Sequence, residues 1–431
     1  MSGTHRSDQI PPAGAAAQSA TLALLASLFF MWGFITVINN TLLPHLRAVL
    51  ELNYTQTTLI ESVWFIAYFV ASIPAASLIR QVGYKRSIVV GLTIMAAGAL
   101  MMIAAARALS YATVLTALFV VASGITLLQV AANPYVAVIG STGTAPARLN
   151  FVQAFNSMGT TLAPLFGGYL ILGRSLSGTA STSGPLTYAD RLSDARAVQL
   201  PYLIVAVVLL GLAFLVASRK LPDIASQMRP GASTTSKPLS LLTHRNLVWG
   251  APAIFIYLIA EIGVSNLFIN FVSARDIGNV SHELASRYLF LLWGGMMVGR
   301  FMGSFLMRRI RAETLLAVCS LAAFLVVAVC IITQGATAMW ALISVGLFHS
   351  IMFPTIFTLG IRGLGELTEK GSGVLIMAIA GGALVVLQGA LADAYGLQRS
   401  FILTAACELY VLFYALWGSR PTNALADERL V

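Results

Sequence analysis

The chain has 431 residues, of which 58% are hydrophobic and only 10% are charged. A water-soluble protein of this length needs far more polar surface to stay dispersed, so a soluble enzyme or binding domain is excluded. The net charge of +10 is not a nucleic-acid footprint either, because the basic residues are scattered in short loops between apolar runs.

Residues 1–20 are polar and rich in Ala, Ser and Pro, and are expected to form a flexible tail. The first apolar run, Thr21 to Leu43, is too long for a signal-peptide core and lacks its basic-then-apolar layout, so it reads as a retained helix. Further apolar runs follow, each long enough to cross ~30 Å of hydrocarbon. The predicted spans are 21–43, 57–79, 87–106, 111–139, 149–172, 199–217, 247–273, 285–307, 313–333, 337–361, 371–394 and 400–418. Between the sixth and seventh, Ser218–Asn246 carries Pro222, Pro230, Gly231, a Ser/Thr run and Pro238, which is linker composition. The expectation is an all-α membrane protein. A six-helix bundle over 21–217 is joined through the loop 218–246 to a second over 247–419, with a tail at 420–431. Cys319, Cys330 and Cys407 all fall inside apolar runs and imply no disulfide framework.

The loops on the side of the termini hold fourteen basic residues, Arg80, Lys85, Arg86 and Arg148 among them, against eight on the opposite side. That bias places both termini and the central loop in the cytoplasm. The halves echo each other as well. Trp64 and Arg80 are spaced like Trp293 and Arg309, Pro134 and Gly140 like Pro354 and Gly360, and Gly159 and Gly167 like Gly381 and Gly389. Near-constant offsets with the same helix polarity describe a parallel repeat, a pseudo-symmetric pair of bundles.

Five segments carry a family resemblance: LFFMWGFITVINNTLLPHL (28–46), GYKRSIVVGL (83–92), LLQVAANPYVAVIG (127–140), ARLNFVQAFNSMGTTLAPLFGG (147–168) and FPTIFTLGIRGLG (353–365). They resemble the fucose–galactose–glucose branch of the major facilitator superfamily, and the wording is closer to the bacterial glucose/galactose group than to the fucose permeases. The resemblance implies twelve helices in two six-helix domains around a central cavity, a monomer in the bacterial inner membrane, and sugar uptake by alternating access.

The residues themselves point the same way. Polar side chains at bilayer depth are expensive and face a cavity or a partner. Gln153 and Asn156 share one face of the fifth span, Gln129 and Asn133 one face of the fourth, and Asn266 and Asn270 one face of the seventh, with Gln388 on the eleventh. Amides both donate and accept, which suits a neutral polyol; the plainer reading is that they join helices or satisfy the backbone at Pro134. Gln153 and Asn156 also match positions that line the sugar cavity in the family. Trp32, Trp64, Tyr68 and Trp293 are candidates to stack on the C–H faces of a sugar ring, or simply to pack.

Coupling is where the chain departs from the family. The two buried carboxylates implicated in proton coupling in the fucose symporter are matched here by Asn40 and Gln129, which cannot titrate. Glu61 and Glu261 lie within apolar runs instead, where a carboxylate costs ~3 kcal/mol on insertion scales and so calls for a use. Either is expected to have taken over coupling, with Asn40 beside it on the first span; Glu261 sits on a seventh span that reads as broken. Arg300 is the basic residue well inside a span, with a structural or gating role. No phosphate loop, dinucleotide fingerprint or metal-ligand spacing occurs, so no enzyme activity, metal or cofactor is expected beyond a coupling proton or sodium ion. The reading is a secondary active importer of a monosaccharide of the glucose/galactose type. An uncoupled facilitator and a sodium-coupled symporter stand as alternatives, and a non-transporting sugar sensor as a remote one.

Overall fold

The computed structural model describes residues 15–49, 54–175, 188–219, 221 and 240–421; the expected tails and linker fall largely outside these. Twelve helical spans follow one another: α1 (Ala15–Val49), α2 (Tyr54–Val82), α3 (Tyr84–Ala108), α4 (Tyr111–Val138), α5 (Ala145–Ser175), α6 (Tyr188–Ser218), α7 (Arg245–Ser273), α8 (His282–Leu306), α9 (Ala312–Ile332), α10 (Gly335–Gly360), α11 (Gly365–Tyr395) and α12 (Leu397–Gly418). Every predicted span has its helix. An outward face as apolar as Phe214 (76% exposed) and Ile332 (79%) belongs against lipid, since water would not tolerate it.

Breaks fall elsewhere than the sequence suggested. The seventh span, read above as broken, is one continuous helix of 29 residues despite Pro252, which removes a single backbone donor without interrupting it. The interrupted spans are α10, which splits into Gly335–His349 and Met352–Gly360, and α11, which tightens to a 3-10 helix over Ala378–Val385. A 3-10 stretch inside a helix is a common place for bending.

Helix ends are closed by side chains on a shared plan. Arg148 holds the end of α4, its Nε donating to the Val136 carbonyl at 3.2 Å, Nη2 to Ala137 at 2.7 Å and Nη1 to Ser141 at 2.9 Å. Asn246 closes α10 in the same way, its Nδ2 donating to the carbonyls of Leu359 (2.8 Å), Gly360 (3.1 Å) and Arg362 (2.9 Å). These carbonyls are the ones a helix leaves unpaired at its C-terminus. The repeat is equally visible in packing. Gly159 of α5 lies against the Phe30 carbonyl of α1, and Gly381 of α11 against the Phe255 carbonyl of α7. A side chain at either position would collide with backbone, which is why both are glycine.

The two halves meet where α5 crosses α8 and α10, and where α2 and α4 meet α11. The contacts cluster toward the end that carries the basic loops. There Asn150 Nδ2 of α5 donates to Thr355 Oγ1 of α10 at 3.2 Å, and Ser304 Oγ of α8 to the Ala147 carbonyl at 2.8 Å. Two prolines supply further anchors. Pro134 has no N–H to give the Val130 carbonyl, and Ser372 Oγ of α11 donates to it instead at 3.0 Å. Pro354 likewise frees the Ser350 carbonyl, which accepts from Arg300 Nε at 3.0 Å.

The glycine contacts yield a direct prediction. Gly381→Val and Gly159→Val should each cost about 1–3 kcal/mol through overpacking. That is expected as a lowered unfolding midpoint in detergent, whereas Gly211→Val on α6, where nothing lies within 4 Å, leaves the midpoint unchanged.

Candidate functional site

Above the seal lies a cavity of about 380 Å³ between the halves. That size is within the ~300–1,000 Å³ of small-molecule sites. Helical stripes build its walls. From the N-terminal half come Trp32, Gly33 and Thr36 of α1, Trp64 and Tyr68 of α2, Gln129 of α4, and Gln153, Asn156, Ser157 and Thr160 of α5. The α5 residues recur at the three- and four-residue spacing that keeps side chains on one helix face. The C-terminal half contributes Glu261, Ser265 and Asn266 of α7, Trp293 and Arg300 of α8, and an apolar patch from α11 that includes Ile379 and Val386.

Several side chains are held in place by bonds that leave one group free. Gln129 Nε2 donates to the Tyr68 hydroxyl at 2.5 Å, which the Trp32 indole also reaches, while Gln129 Oε1 is buried with no partner. Gln153 Nε2 is likewise buried and unpaired. Asn156 Nδ2 donates to the Phe29 carbonyl at 3.0 Å, a contact allowed by Gly33, whose missing side chain lets α1 close on Asn156. The cavity wall thus offers one buried acceptor and one buried donor without counterparts, an arrangement whose desolvation cost of ~1–3 kcal/mol per group a polar ligand would remove.

Arg300 forms the floor. It is 8% exposed; its Nη1 donates to the Gln153 carbonyl at 3.2 Å and to Ser157 Oγ at 2.5 Å, both on the opposite half. With Nε on Ser350, one guanidinium ties α5, α8 and α10 together beneath the cavity. Its planar fork of five donors permits this, and a lysine could not reproduce it.

Ten of the residues singled out from sequence therefore line one cavity: Trp32, Trp64, Tyr68, Gln129, Gln153, Asn156, Glu261, Asn266, Trp293 and Arg300. Three others do not. Asn133 is fully buried one turn from Gln129, with both amide atoms unpaired. Asn270 is exposed, one turn beyond Asn266. Gln388 is buried between helices, its Oε1 accepting from the Thr404 hydroxyl at 3.4 Å and pressed on Gly263 of α7. Asn40 and Glu61 lie on α1 and α2 with side chains outside the described residues. Sequence reasoning passed over Glu408, a carboxylate in the last apolar run, although the same signal that singled out Glu261 was present there. It also passed over Ser157 and Tyr257, whose types carry no signal of their own in an apolar helix.

The pattern of the Major Facilitator Superfamily matches residues 23–387. The chain is 46% identical over 400 residues to the "Glucose/galactose transporter" of Brucella abortus, covering 93% of this chain and 94% of that protein. It is 33% identical over 410 residues to the "L-fucose-proton symporter" of Escherichia coli, covering 93% of each. Among solved structures, the transporter FucP in the outward conformation superposes with a TM-score of 0.84 at 31% identity, covering 94% of this chain and 100% of that one.

The floor can be tested without knowing any ligand. Arg300→Met removes charge-assisted bonds across the seam, worth ~1.5–3 kcal/mol each. It is expected to raise maleimide labelling of an introduced Ala147→Cys from the basic-loop end by about tenfold or more. Unchanged labelling would show that Arg300 does not hold the seam.

Proposed function

Since the chain belongs to the Major Facilitator Superfamily, we propose that it imports a monosaccharide of the glucose/galactose type across the bacterial inner membrane, driven by a coupled proton. The observation that carries the cargo assignment is the pair of unmatched amide atoms, Gln129 Oε1 and Gln153 Nε2, in the wall of one cavity. A sugar hydroxyl both donates and accepts, so the hydroxyls of one ring suit an acceptor and a donor alike. Trp32, Trp64 and Trp293 offer flat apolar faces around the same space for the ring's C–H face. The names of the relatives, a glucose/galactose transporter and an L-fucose-proton symporter, agree with a neutral hexose and with a proton as the ion.

The bias of fourteen basic loop residues against eight places the sealed end and both termini in the cytoplasm. The cavity then faces outward, in keeping with the similarity to a transporter in the outward conformation. A hexose enters from outside, is gripped by amides of the N-terminal half, and the halves rock so that the bonds at Asn150, Ser304, Arg300 and Ser372 part and the cavity opens inward. Asn40 and Gln129, which cannot carry a proton, favour an uncoupled facilitator as the second reading. Against it stands Glu261, a carboxylate that lines the cavity at mid-helix. The domain division at residues 218–246 follows the same reading, each bundle moving as a unit.

Proteoliposome counterflow with labelled glucose and galactose tests the cargo. Gln129→Ala and Gln153→Ala are each expected to raise KM about tenfold, the ~1.4 kcal/mol of one hydrogen-bonding group. Absence of counterflow for every hexose tried, or no change in either variant, would refute the assignment. An imposed proton gradient and an imposed sodium gradient, applied separately, distinguish the coupled readings from the facilitator.

A further inference from the structure

Behind the cavity wall the C-terminal half buries a second carboxylate. Glu408 of α12 has no exposed side-chain surface, and its Oε1 lies 2.7 Å from Nε2 of His349 on α10, whose side chain is 3% exposed. The other oxygen, Oε2, has no hydrogen-bond partner. Tyr257 of α7 joins this pair to the cavity. Its hydroxyl donates to the His349 carbonyl at 2.9 Å, and its ring packs edge-on against the imidazole at 5.6 Å between centroids. One turn along the same helix, Glu261 lines the cavity and lies in the field of Arg300, His349, Tyr257 and Glu408.

Purely structural ion pairs in apolar surroundings hold together when their remaining lone pairs are satisfied, and a bare Oε2 is a poor design for that purpose. The charges also do not balance. Tyr257 and Glu261 face the cluster from α7, Arg300 from α8, Cys319 from α9, and Cys407 flanks Glu408 on α12. Of these groups and the pair itself, the two carboxylates have one guanidinium between them. With both carboxylates ionised and the imidazole neutral, one negative charge is left over, and a single added proton, shared among His349, Glu408 and Glu261, makes the cluster neutral.

We propose that Glu261, His349 and Glu408 together form a one-proton binding site of the transport cycle, contained in the C-terminal half and open to the cavity through Glu261. The inference rests on the reading of the chain as a sugar importer and names the site where its ion binds. Uptake forms one new O–H or N–H bond on the cluster and leaves the delivering hydronium as water; release to the opposite side reverses this. Occupancy alters the pull of Glu261 on Arg300, the guanidinium that bonds to Gln153 and Ser157 across the seam, so proton binding and opening of the floor act on the same group. The amides that grip the sugar stand on the other half. Ion and cargo are therefore read by different bundles that share one cavity.

The test compares the full-length protein with Glu408→Gln and His349→Asn in proteoliposomes, measuring counterflow of the hexose and accumulation under an imposed proton gradient. A gradient of one pH unit drives about tenfold accumulation at one proton per sugar. Both variants are expected to exchange sugar within about twofold of the parent protein while accumulation falls to parity, because exchange needs a folded, rocking protein but no net proton movement. Undiminished accumulation in both variants overturns the proposal. So does loss of exchange together with accumulation, which assigns the pair to packing, and so does a parent protein whose accumulation ignores the proton gradient. A parent protein that exchanges no hexose refutes the sugar reading itself, a result separable from the others.

Discussion

Hydrocarbon offers no water to a backbone carbonyl, and among the helix prolines of this protein Pro134 and Pro354 leave the carbonyls of Val130 and Ser350 without their helical donors. Each needs a side chain from elsewhere. Ser372 of the other half answers the first and Arg300 the second. Because those donors come from neighbouring helices, the need to satisfy the backbone becomes a means of holding helices, and in the case of Ser372 holding halves, in one arrangement. The bonds are few and mostly single, which suits a seam that must part and re-form rather than a permanent interface.

Arg300 shows how closely support and site are combined. Its Nε serves the carbonyl released by Pro354, its Nη1 crosses to Gln153 and Ser157, and its charge lies in the field of Glu261. The residue whose backbone it holds, Gln153, lines the cavity and keeps its amide Nε2 buried and unpaired. Positioning of the cavity-lining side chains, closure of the floor and charge balance in the C-terminal half thus share a single guanidinium. The halves repeat each other in scaffold but not in chemistry: matched glycines and matched helix closures recur, while the charged residues of the cavity wall, Glu261 and Arg300, both come from the C-terminal half.

Much of the scaffold was readable beforehand because the bilayer makes element length and polarity obey a simple rule. Glycine pairs such as Gly159 and Gly381 were readable as a repeat, although why they are glycine becomes plain only when Phe30 and Phe255 are seen against them. The cavity was partly readable. Gln153 and Asn156 share a face by spacing alone, yet of Asn266 and Asn270, both exposed and paired by the same argument, only Asn266 lines the cavity, and Gln388 is turned into a helix contact. Spacing says which residues share a face; it does not say which face fronts the cavity.

The sequence by itself determined the number of spans, the direction of the basic bias, the parallel repeat and the shared face of Gln153 and Asn156, because each depends on local composition and on periodicity along one helix. Tertiary structure alone decided that α10 and α11 rather than α7 are interrupted, that Arg300 bridges the halves, and that Glu408 meets His349 across 59 positions of sequence. Those outcomes depend on how helices are rotated about their own axes and which neighbours they meet. Rotation is set by packing summed over many side chains, so no single stretch of the chain records it.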